Sequence, residues 1–97
     1  MKQIRWDPIK NELLRAERGV SFDQLLGGRL ILDMHHPSRP HQSLMLIEFE
    51  DYVWVVPYIE SDYDIFLKTF YPSRKYSRLY LEGRLTDESE LEEDQID

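Results

Sequence analysis

Phe66-Leu67-Lys68-Thr69-Phe70-Tyr71-Pro72-Ser73-Arg74-Lys75-Tyr76-Ser77-Arg78 decides how this chain is read. Its first half, in which apolar residues surround the single cation Lys68, has the character of a strand. Pro72 removes a backbone donor and stops the ladder. Ser73 then stands as a helix N-cap, its hydroxyl able to accept from the exposed amides of the next turn. Arg74, Lys75 and Arg78 fall in the first turns of that helix, beside amides that themselves favour an anion. Four cations, two tyrosines and a helix start converge in one short segment. That chemistry suits a phosphate. On residue types alone, the plainer reading of a C-terminal helix with a solvated basic face has the stronger claim.

Working outward, residues 43–49 and 52–59 read as strands joined by Glu50-Asp51 as a tight hairpin. Tyr52, Trp54, Val56 and Tyr58 alternate with Val53, Val55 and Ile59, so both faces are apolar and the strand is central, covered on two sides. Pro57 interrupts its pairing. Glu60-Ser61-Asp62 makes the next turn, and residues 65–71 form the last strand, antiparallel to its neighbour. Upstream, residues 33–42 are rich in His and Pro and read as a loop after a brief strand at 30–32. Ser21-Phe22-Asp23-Gln24 is a capping box that opens a short helix, ended by Gly27-Gly28. Asp7-Pro8 opens a longer helix that runs to about Arg18, with Ile9, Leu13 and Ala16 on one face and Leu14 flanking. Gly19 supplies its left-handed stop. Residues 2–6 alternate as a first strand. The reading is α+β: N-terminal helices and a C-terminal helix against one face of an antiparallel sheet. Trp6, Leu13, Phe22, Leu25, Val53 and Val55 are its expected core.

Ninety-seven residues make one domain. Without cysteine there is no disulfide framework, thiol nucleophile or thiolate metal site. No stretch is long enough to span a bilayer and the N-terminus lacks a signal-peptide run, so a cytoplasmic protein is expected. The net charge of −7 argues against a nucleic-acid partner until its distribution is read. Residues 1–76 carry ten Lys or Arg against eleven Asp or Glu, whereas residues 77–97 carry two against eight. The acidity is a property of the end of the chain. We therefore expect a domain over residues 1–84 and a disordered acidic tail over 85–97. The tail serves solubility on the simpler reading and mimics phosphate over a basic patch on the other.

His35, His36 and His41, with Asp33, do not make a zinc ligand set, and no metal or cofactor is expected. Glu48/Glu50 and Asp62/Asp64 sit at strand ends and turns, where acidic residues are common without any acid–base role. Gly27-Gly28 lacks the spacing of a phosphate loop. The stripe of Tyr52, Trp54 and Tyr58 could stack on bases but reads as core.

Ile4-Arg5-Trp6-Asp7-Pro8-Ile9-Lys10-Asn11 followed by Arg18-Gly19-Val20-Ser21-Phe22-Asp23 resembles the N-terminal signature of the BrnT-like toxins. Tyr52-Val53-Trp54-Val55-Val56-Pro57-Tyr58 and the stretch from Phe66 to Lys75 resemble the sheet and closing motif of a subgroup of that family. The likeness runs over about residues 2–82. It departs at Arg18, where many members have histidine, and at Lys68 through Lys75, where the better-known branch is arginine-rich. The resemblance implies a RelE-like fold and the toxin of a bacterial type II toxin–antitoxin system. Such a toxin is a metal-independent endoribonuclease, held in check by a small DNA-binding antitoxin, alone as a homodimer or in a hetero-oligomer. Under that implication Lys68 and Arg74 are the residues for phosphate and transition-state charge, and Lys75 and Arg78 hold the RNA backbone. Tyr71 or one of His35, His36 and His41 moves the proton. The alternative is a non-catalytic module of the same fold that binds an antitoxin and tunes repression.

Overall fold

The computed structural model describes residues 2–85. A short strand β1 (Gln3–Arg5) leads into α1 (Pro8–Arg18). Asp7 caps this helix, its Oδ1 accepting the Ile9 amide at 2.9 Å, and Gly19 ends it at φ 75°. Ser21 and Gln24 form the reciprocal capping box of α2 (Phe22–Leu26), with bonds of 3.2 and 2.9 Å. The buried Asn11 ties the two helices together, its Oδ1 accepting the Phe22 amide at 2.9 Å. One first-turn amide of α2, which has no partner inside its own helix, is thereby satisfied from α1.

The chain continues through β2 (Arg29–His35), β3 (Ser43–Phe49), β4 (Tyr52–Glu60), β5 (Asp64–Leu67), β6 (Tyr71–Pro72) and α3 (Arg74–Leu81). The sheet order is β1-β5-β4-β3-β2, and β6 pairs with β4 off that path. Pairing is antiparallel except for β1, which lies parallel to β5 with Ile4 opposite Ile65. The β3–β4 hairpin turns on Glu50 and Asp51 at φ 54° and 64°, the left-handed pair that matches strand twist. Gly28 has a tighter role than ending a helix. A Cβ there would lie 2.6 Å from the Glu48 carbonyl oxygen and 2.9 Å from Ile47 Cγ2.

Strand β4 is buried on both sides, as its two apolar faces require. Val56 and Tyr58 pack with Leu14, Phe22, Leu25, Ile47, Leu67 and Phe70 beneath α1 and α2. Val53 and Val55 pack with Met34, Leu44, Leu46, Tyr76 and Leu79 beneath α3. The expectation that all helices share one face is therefore corrected: α3 lies on the face opposite α1 and α2. It is fastened there by the Val53 backbone, whose N–H donates to Ser77 Oγ at 2.8 Å and whose carbonyl accepts the Ser73 amide at 2.9 Å.

Further expectations need revision. In α1, Leu13 is 60% exposed and Ile9 73%, while Leu14 is 4% exposed. The helix is turned so that Asn11 and Leu14 face inward, because the hydrogen bond that Asn11 Oδ1 accepts from the Phe22 amide of α2 fixes its rotation. Trp6 is only partly buried, stacked on Phe22 with ring centroids 5.5 Å apart, whereas Phe22, Leu25, Val53 and Val55 are core. In the stripe read as core, Tyr52 is exposed and only Tyr58 is fully buried. Strand β2 extends to His35, past the expected loop start at 33, because Met34 pairs with Leu44 and enters the core. The single strand expected over 65–71 is two strands. Finally, Leu85 is 4% exposed against the α3 side of the core, so packing continues past the expected boundary at Arg84. The rest of the expected acidic tail lies outside the described residues.

Candidate functional site

The break between β5 and β6 builds the site. Tyr58 pairs with Leu67 and Val55 with Tyr71, so two residues of β4 face three of the opposing chain. This extra residue is a β-bulge, and it resets which side chains point where. Leu67 and Phe70 both enter the core beneath α1 and α2. Lys68, Thr69 and Tyr71 all line a cavity on the other face. A regular strand would have put Lys68 and Tyr71 on opposite faces.

The cavity has a volume of about 500 Å³. Leu44 and Pro57 line it from the sheet, the residues 36–42 between β2 and β3 supply His36 and Arg39, and α3 supplies Lys75 and Tyr76. Arg39, Lys68 and Lys75 give it three cations, and no carboxylate lines it among the described residues. The Lys68 ammonium has no ion-pair partner among the described residues. Lys75 Nζ lies 4.9 Å from the centroid of the Tyr76 ring.

His36 is held by its own turn. The amides of Ser38 and Arg39 each donate to Nδ1 at 3.0 Å. An acceptor nitrogen carries no proton, so the neutral ring keeps its N–H on Nε2. Burial, and then the charge of Arg39, lower its pKa from the ordinary 6.5. His36 is therefore a neutral hydrogen-bond donor here and is not poised as a base. On the opposite face, Tyr58 donates to Asp33 Oδ1 at 2.6 Å, tying β4 to β2 across β3. Burial and that carboxylate push the phenol up to about 12. The strand end from which the His36 turn springs is thus pinned.

Of the residues singled out from sequence, Lys68, Tyr71 and Lys75 come together in the cavity with His36. Arg74 and Arg78 do not join them; both are exposed on α3 outside the cavity lining. His35 and His41 are exposed and also outside it. Glu48 accepts the Tyr80 hydroxyl at 3.0 Å, and Asp64 accepts from Arg5 at 2.9 Å, so both are engaged away from the cavity. The sequence reading missed Arg39 and Thr69. A signal for the first existed: a two-residue hairpin at 50–51 fixes Leu44 opposite Pro57, and so brings the segment before Ser43 toward Lys68.

The mostly antiparallel sheet with helices on both faces is an α+β fold. Among solved structures it is similar to the ribonuclease toxin BrnT of Brucella abortus, known from a crystal structure at 1.1 Å. The TM-score is 0.51 at 14% sequence identity, over 75% of this chain and 97% of that one. The two share a fold. No family profile and no curated protein match the sequence. No helix among the described residues is long and apolar enough to cross a membrane.

Proposed function

We propose that the chain is the toxin of a bacterial type II toxin–antitoxin pair, a metal-independent endoribonuclease that cuts RNA and so stops translation. One observation carries the reading: a cavity lined by three cations and, among the described residues, by no carboxylate, in a chain of net charge −7. Such a concentration of positive charge, against the overall balance, marks a site for a polyanion. The fold it sits on is also that of a solved ribonuclease toxin.

RNA carries its own nucleophile. The 2′-oxygen attacks phosphorus, the bond to the 5′-oxygen breaks, and a 2′,3′-cyclic phosphate and a 5′-hydroxyl remain. Lys68 and Arg39 stabilise the non-bridging oxygens, whose charge grows toward the transition state. His36 adds its Nε2–H to that set. Tyr71, which lines the cavity with Lys68, protonates the departing 5′-oxygen while the 2′-hydroxyl gives its proton to water, and the phenol regains its proton from solvent. Lys75 holds the adjacent backbone, and Arg74 and Arg78 receive the strand where it leaves the cavity. The test is cleavage of a labelled RNA by purified protein with EDTA present, beside the same oligomer carrying one 2′-deoxy sugar at the cut. Cutting of the first alone is expected. Cutting that needs added metal, or that ignores the missing 2′-hydroxyl, contradicts the mechanism.

The exposed Ile9 and Leu13 on α1 favour a second, non-catalytic role: an apolar face for a protein partner, which in such a pair is the antitoxin. Both roles can reside in one toxin. Binding alone is the reading left if the purified chain cuts nothing.

A further inference from the structure

We propose that the open sheet face beside the cavity is a base-stacking platform built on Phe66, so that the substrate is single-stranded RNA. This rests on the reading above and adds the substrate's form and the residue that selects it. Ile59 pairs with Phe66, and Phe66 with Arg5, so the three stand side by side across β4, β5 and β1. Their strand neighbours Tyr58 and Leu67 are buried beneath α1 and α2, so alternation turns this row to the opposite face, the one that carries the cavity. The next row along the same strands is Leu44, Pro57 and Lys68, joined by the Lys68 amide to the Pro57 carbonyl at 2.9 Å. Two residues of extended chain separate the rows by about 7 Å.

Helix α3 covers Val53 and Val55 but leaves this outer row open. Phe66 is 37% exposed and Ile59 39%, whereas the core phenylalanines Phe22 and Phe70 are 1% and 0%. Phe66 is an aromatic surface that the core does not use. Next to it are the cations of the cavity and, on β1, Arg5, whose charge is shared with Asp64 at 2.9 Å. One aromatic ring a single row from an excess of positive charge matches a nucleotide, which carries a flat base beside its phosphate. A duplex buries both faces of its bases, so only an unpaired base can lie on Phe66.

The experiment uses the full chain and a 2′-O-methyl RNA oligomer, which cannot be cut, with one 2-aminopurine moved through successive positions. Binding should quench 2-aminopurine several-fold at one or two adjacent positions. Phe66→Ala should lose that quench and bind about ten- to a hundred-fold more weakly. Phe66→Trp should restore both, and Phe66→Leu, which keeps the apolar volume, should not. The same oligomer annealed to its complement should bind at least about ten-fold more weakly. Equal quenching and affinity in wild type and Phe66→Leu, with both melting alike, overturns the platform, and so does equal binding of the duplex. Cleavage of unmodified RNA, measured alongside, separates the two readings. A protein that cuts RNA without using Phe66 loses the platform alone. One that stacks a base on Phe66 and cuts nothing loses the nuclease alone and keeps the platform.

Discussion

A proton on His36 would compete for the nitrogen that two backbone amides already use. Protonating Nδ1 breaks both 3.0 Å bonds and sets a second positive charge beside Arg39. The folded pKa is lowered, so below about 6.5 the unfolded chain binds more protons than the folded one. The contribution of His36 to stability is therefore present above that pH and is lost as pH falls through the lower folded value. We expect acidification from about pH 7.5 to about 5 to lower the melting temperature of the wild type more than that of His36→Asn, which accepts the same amides without titrating. Parallel melting curves across that range would show that the turn is indifferent to the ring. At this scale the sequence was informative where the cavity lining is local. Lys68, Tyr71 and Lys75 lie within one short segment, and their proximity could be read directly. Arg39 and the state of His36 depend on partners brought in by strand register.

Helix α1 shows how an element can be legible in extent and misread in rotation. Its cap at Asp7, its proline and its stop at Gly19 are local signals, and the structure follows them. Its rotation is decided elsewhere. Hydrophobicity alone chooses the stripe of Ile9, Leu13 and Ala16, while the observed inward face carries Leu14 and the polar Asn11. Asn11 outweighs the extra apolar area because it satisfies the buried Phe22 amide, and an unsatisfied buried amide costs about 1–3 kcal/mol. We expect Leu14→Ala to cost about 2–5 kcal/mol and Leu13→Ala to stay within about 0.5 kcal/mol, measured by urea unfolding. The reverse order would return α1 to the rotation its hydrophobicity suggests. The β-bulge between Leu67 and Tyr71 was illegible for a related reason. One extra residue in a strand leaves no mark in composition and becomes visible only when both registers of β4 are known.

At the scale of the whole molecule, charge and layering act together. The chain is acidic overall, yet α3, the bulge and the segment 36–42 enclose cations on one face of the sheet. The fold class was legible because turn chemistry and alternation agree along most of the chain. The third layer was overlooked although the two apolar faces of β4 already demanded cover on both sides. If this cavity holds the scissile phosphate, Lys68 acts on charge that grows in the transition state. Single-turnover cleavage of a labelled RNA at saturating protein, with EDTA present, tests it most directly when wild type, Lys68→Ala and Arg78→Ala are compared. Lys68→Ala should be slower by about two to three orders of magnitude while still binding the RNA. Arg78→Ala, altered outside the cavity, should stay within several-fold of the wild-type rate. Equal rates for wild type and Lys68→Ala would show that the cavity does not hold the scissile phosphate.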